Sequence, residues 1–100
     1  MVKIIVKATI TLYNYEKSRK TPFKSGYRPL FSFGSDEYYT SGQIQLLDRD
    51  AFFPGDTADV QISFLEELLN NSISVGERFY FKEVKDILGE GIIIEIANRN

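Results

Sequence analysis

Apolar and polar residues alternate along the first part of the chain. Val2, Ile4, Val6, Ala8, Ile10 and Leu12 fall on one side, and Lys3, Lys7, Thr9 and Thr11 on the other. A period of two turns one set inward and the other toward solvent, which predicts a half-buried β-strand from Val2 to Leu12. A polar connection follows, from Asn14 to Pro29, punctuated by Pro22, Gly26 and Pro29. Connections of that length in a small domain are often functional. Leu30 to Phe33 begins a second strand, which Gly34-Ser35-Asp36 bends, and Tyr38 to Leu47 reads as a third, with Gln43 and Gln45 set against Ile44 and Leu46. After the turn signal Pro54-Gly55-Asp56, Ala58, Val60, Ile62 and Phe64 alternate with Asp59, Gln61 and Ser63 in a fourth. Arg78 to Val84 is the fifth, Asp86 to Gly89 a turn, and Gly91 to Ala97 the sixth. Six short strands separated by turn signals predict an antiparallel sandwich or barrel. The expected core holds Ile4, Val6, Ile10, Ile44, Val60, Ile62, Phe79, Phe81 and Ile94. Phe64, Leu65, Leu68 and Leu69 also fit helical spacing, so one helical turn is expected near residues 66–70.

Composition narrows the chemistry more than the fold. At 100 residues, 43% hydrophobic and 26% charged, the chain has the proportions of one globular domain, residues 1–100. It has no cysteine, which removes disulfides and thiolate metal sites, and no histidine, which removes imidazole acid–base catalysis and the usual nitrogen ligands for metals. Lys3 and Lys7 interrupt the apolar start, so it does not read as a signal peptide, and no apolar run is long enough for a membrane helix. The expectation is a cytoplasmic protein without membrane contact.

Several fragments, in order, resemble a known family. Arg19-Lys20-Thr21-Pro22-Phe23, then Gly26-Tyr27-Arg28-Pro29 and the strand Phe31-Ser32-Phe33, are similar to the third domain of elongation factor Tu. The likeness continues through Gly42-Gln43-Ile44-Gln45-Leu46, the Pro54-Gly55-Asp56 turn, Gly76-Glu77-Arg78-Phe79 and Gly89-Glu90-Gly91. It covers nearly the whole chain, with small insertions near Glu37 and Leu68. The resemblance implies a six-stranded antiparallel Greek-key β-barrel and a translation-related role, here as a free-standing third domain. The factor's own GTPase engine has no counterpart: no G-x-x-x-x-G-K-[ST] occurs, so GTP binding is not expected. Gly89-Glu90-Gly91 precedes a strand rather than a helix and reads as turn geometry.

Charge supplies the candidate site. Lys17, Arg19, Lys20, Lys24 and Arg28 lie within residues 17–28 with no acid among them, making the segment locally +5 on a body of −7. Such a cluster can hold a phosphate backbone, with Phe23 or Tyr27 stacking a base or ribose. The resemblance implies that Arg19 and Lys20 match a basic pair that contacts the backbone of aminoacyl-tRNA near its T stem. Lys82 and Lys85 stand in Lys82-Glu83-Val84-Lys85, where the family has an Arg-Glu-Gly-Gly run approaching the same stem. Leu30 stands where the family has a tRNA-side Gln. The plainer reading is a solvated loop that keeps a barrel end soluble. Gly26-Tyr27-Arg28-Pro29 reads as architectural, with Arg28 paired to a carboxylate or to carbonyls. Asp48, Asp50 and Asp56 match no calcium loop, and nothing forms a nucleophile constellation. The expectation is therefore a non-enzyme without cofactor or metal. Its partner is a tRNA or other structured RNA on Lys17, Arg19, Lys20, Lys24, Lys82 and Lys85. The alternative is a protein-interaction module, with a translation factor, a toxin or a second copy as partner, or an immunity protein mimicking the factor in a toxin system. If Phe52-Phe53 and Tyr38-Tyr39 lie on strands, one ring of each pair is expected inward and one outward.

Overall fold

Alternation of this kind buries one face only if the strands close around it. In the computed structural model, which describes residues 3–14, 20–33, 39–65, 73–83 and 86–99, they do. The strands are β1 (Lys3–Leu12), β2 (Leu30–Phe33), β3 (Tyr39–Leu46), β4 (Thr57–Leu65), β5 (Arg78–Glu83) and β6 (Asp86–Arg99). They form a closed barrel in the order β1-β4-β3-β2-β5-β6, with every neighbouring pair antiparallel. β2, β3 and β4 follow one another around the wall and β1 lies beside β4, a Greek-key arrangement. No helix of the described residues is long and apolar enough to cross a membrane. The helical turn expected near residues 66–70 lies outside the described residues.

The inward set from Ile4 to Leu12 is buried, as are Ile44, Val60, Ile62, Phe79 and Phe81. Ile94 is a correction: it is 39% exposed, and Ile93 takes the core position at 1%. Lys7 pairs with Glu95 and Ala8 with Ile93, so Ile94 is the extra residue of a β-bulge, and the bulge reverses which residues of β6 face inward. A second correction concerns Asp86 to Gly89. These residues are the start of β6 rather than a turn, with Asp86 opposite Glu83 and Gly89 opposite Phe81.

Gly89 and Gly91 are needed for space, not for turning. A Cβ on Gly89 would stand 2.2 Å from the Thr11 carbonyl oxygen and 2.4 Å from the Phe81 ring; one on Gly91 would stand 2.5 Å from the Phe79 ring. The barrel's lower end, where β1 begins, carries the connections after β2 and β4. Its upper end carries those after β1, β3 and β5, and there the candidate site is assembled.

Candidate functional site

The basic connection between β1 and β2 is fastened to the barrel by its own aromatic residues. Phe23 is 2% exposed and sits in the core beside Phe52. The two backbones exchange hydrogen bonds, Phe23 N to Phe52 O at 3.0 Å and Phe52 N to Phe23 O at 2.8 Å. The Phe23 ring stacks on Phe52 at 5.2 Å and on Tyr27 at 4.6 Å. It therefore plugs the upper end and is not free to stack a nucleotide base, which corrects that expectation for Phe23. Tyr27, packed against the core, donates its hydroxyl to Glu83 at the end of β5.

Between these anchors the chain makes a tight turn. Tyr27 N donates to Lys24 O at 3.2 Å, and Gly26 holds φ at 100°, a left-handed value that favours glycine. The turn is tied to β3 on both sides: Gly26 N donates to Ile44 O and Ile44 N to Tyr27 O, each at 2.8 Å. Leu46 N also donates to Ser25 Oγ at 2.8 Å. Lys20, Lys24 and Arg28 are consequently displayed, exposed, on a segment held against the barrel.

Of the six proposed RNA contacts, Lys17, Arg19 and Lys85 lie outside the described residues. Lys20 and Lys24 are exposed at the upper end. Lys82 is half-buried on the adjoining wall, its ammonium 4.1 Å from the centre of the Tyr39 ring, a cation–π contact. Lys24 and Ser25 form one side of an open groove whose other side is Leu46, Leu47, Asp48, Arg49 and Asp50.

Arg49 of that groove holds two aspartates, its neighbour Asp48 and Asp56 of the following turn. Its Nε donates to Asp48 Oδ1 at 2.8 Å and its Nη1 to Asp56 Oδ2 at 3.1 Å, while Asp56 Oδ2 also accepts from Phe53 N at 3.0 Å. The hydrogen bond from Arg49 holds the Asp48 carboxyl below its ordinary value of 3.8, and the same bond raises the Arg49 guanidinium. A carboxylate so paired is a poor general base. No group of three or more His, Cys, Asp or Glu able to hold a metal occurs among the described residues.

Arg28, expected to pair with a carboxylate or with carbonyls, has no carboxylate partner among the described residues; it shares a small dent with Lys3, Gln43 and Ser63. The outer wall of β3, β2 and β5 is also apolar. Tyr39 and Tyr80 flank buried Ser32, and Leu30, Lys82 and Ile87 form the next row. Tyr39, Tyr80, Leu30 and Ile87 are all exposed. The alternation already held this signal, because placing Phe79, Phe81 and Phe31 inward forces Tyr80 and Leu30 outward. Phe52 is buried and Phe53 exposed although the pair lies between β3 and β4 rather than on a strand, and Tyr39 points outward; Tyr38 lies outside the described residues. No known protein-family model matches the chain.

Proposed function

We propose that the protein is a non-catalytic binding module, related to the third domain of elongation factor Tu, whose basic loop takes structured RNA of the tRNA kind. One observation carries the reading. The connection that gathers five cations without an acid is fastened by Phe23 and by the Lys24–Tyr27 turn, so exposed Lys20 and Lys24 are presented from a fixed base. Positive charge held in place meets a phosphate backbone with less ordering cost than charge on a free loop. The resemblance supports the choice of partner through Arg19 and Lys20, and the barrel it implies is the fold described above. GTP has no role in this reading, and calorimetry with GTP gives no saturable heat.

Filter binding of unmodified tRNA at low salt tests the proposal. Wild type retains tRNA, and the double variant Arg19→Ala, Lys20→Ala retains much less. Absence of retention at low salt ends the RNA reading.

A second reading has its own observation. Lys82 reaches Tyr39 instead of the basic loop, on a wall that exposes Leu30, Tyr39, Tyr80 and Ile87. An apolar wall with a cation over one ring suits a protein surface, a translation factor or a second copy of the chain. If Tyr80→Asp abolishes capture of a protein from nuclease-treated lysate and tRNA binding is absent, this reading replaces the first.

A further inference from the structure

Arg28 comes from the basic connection, Lys3 from β1, Gln43 from β3 and Ser63 from β4, and the four residues line one dent with Phe64 and Leu65. The register brings them there. Gln43 pairs with Ser63, Lys3 pairs with Leu65, and Gly42 N reaches back to Pro29 O at 3.4 Å, which lays Arg28 along the flank of β3. Two basic residues thus share one dent with a serine and a glutamine, and among the described residues no carboxylate lines it. Like charges brought together repel one another, and an anion between them turns the repulsion into attraction. Each of the four polar side chains is able to donate: a guanidinium fork, an ammonium, a carboxamide and a hydroxyl. The space, about 20 Å³, holds one water-sized group, the size of a single oxygen of a tetrahedral oxyanion seated at the mouth.

We propose that Arg28, Lys3, Gln43 and Ser63 form an oxyanion site for a phosphate group, free or within a phosphodiester. Arg28 supplies the planar fork that matches two phosphate oxygens, and Lys3 supplies the second charge. The site is separate from the groove beside Lys24 and does not depend on the RNA reading, since inorganic phosphate alone suffices to fill it.

The test is a titration of the full chain with inorganic phosphate at constant ionic strength, followed by the amide resonances of Gln43 and Ser63 and the Arg28 Nε resonance. These shift saturably in the millimolar range. Arg28→Gln and Lys3→Gln each weaken binding by about tenfold or more, as expected for loss of a charge-assisted contact. Lys24→Gln leaves it unchanged. Arg28 and Lys3 are exposed, and an unaltered pattern of the remaining resonances shows that the variants fold. A short RNA duplex added to the phosphate complex separates the two sources. Displacement identifies a phosphodiester occupant, and retention of phosphate identifies a free anion; both support the site. Shifts that never saturate, or that Lys24→Gln reduces as much as Arg28→Gln, mean diffuse screening and overturn it.

Discussion

Phe64, Phe81 and Phe79 each stand opposite a glycine on the neighbouring strand: Gly42, Gly89 and Gly91. The rings occupy the volume a Cβ would need, so these glycines are fixed by packing, whereas Gly26, Gly55 and Gly76 are fixed by positive φ. The distinction makes a prediction. Gly89→Ala drives a Cβ into the Thr11 carbonyl and the Phe81 ring, neither of which has room to retreat, and costs about 3 kcal/mol as core overpacking does. Gly76→Ala meets nothing within 4 Å and suffers only its φ of 91°, so it costs about 1 kcal/mol. Urea midpoints at unchanged slope measure both, and the reverse order would refute the packing account. Arg49 gives a second prediction. Asp48 is held below 3.8 in the folded chain, so its contribution is complete above that value and is lost as pH falls through the depressed one. Arg49→Gln removes the main cause, and a carboxyl-carbon titration finds Asp48 moved up toward 3.8. An unmoved Asp48 would mean the bond to Arg49 is not what lowers it. Because Asp48 is exposed, the effect on overall stability is small.

The connection between β1 and β2 shows how an element outside the regular strands becomes part of the barrel. Phe23 is buried among Phe52 and Tyr27, and its truncation to Ala costs about 3–5 kcal/mol, the range for large core aromatics. Tyr27→Phe keeps the ring and removes only the hydroxyl that donates to Glu83; at a part-buried site this costs about 1 kcal/mol. Hydrogen exchange separates the two. Phe23→Ala accelerates exchange at Phe52 N, Gly26 N and Ile44 N well ahead of the β1–β4 amides, and Tyr27→Phe does so only slightly. Equal acceleration across the barrel would show that the connection has no independent hold. Much of this scale was legible beforehand. Strands β1 to β5 are readable because a half-buried strand must alternate, and their bounds fall within about two residues of those expected. β6 was harder for a physical reason. The bulge at Ile94 breaks the period of two, and glycines that make room for phenylalanine rings look locally like turn residues. The charge of the basic connection is visible in composition alone. The burial of Phe23 is not, because nothing within residues 17–28 says that Phe52 packs against it, and the sharing of one dent by Lys3 and Arg28 depends on the pairing of three strands.

A closed barrel restricts how the whole molecule meets a partner. Each of its six strands is paired on both sides, so no strand of a partner can extend the sheet, and contact falls to the outer wall and the connections at the barrel's ends. The net charge of −2 would by itself oppose binding to nucleic acid. What matters is distribution, since residues 17–28 gather +5 in one connection and the rest of the chain carries −7. If that segment is the RNA contact, the affinity is chiefly electrostatic, because it supplies charge more than base-reading hydrogen bonds. Five neutralised phosphates correspond to a slope of roughly −3.5 to −4.5 in log affinity against log salt. A shallower slope counts the cations that reach the backbone. The aspartates beside Lys24 work against a steep one, although Arg49 already engages Asp48 and Asp56. Arg19→Ala with Lys20→Ala weakens binding alike across RNA sequences and flattens the slope by about two contacts' worth, while tRNA remains preferred to single strands. The fold survives the double change, since the loop's hold on the barrel comes from Phe23 and Tyr27. A double variant that binds tRNA with the wild-type slope would reduce the basic loop to a solvating feature. The exposed wall of Leu30, Tyr39, Tyr80 and Ile87 would then be the surface through which the molecule acts.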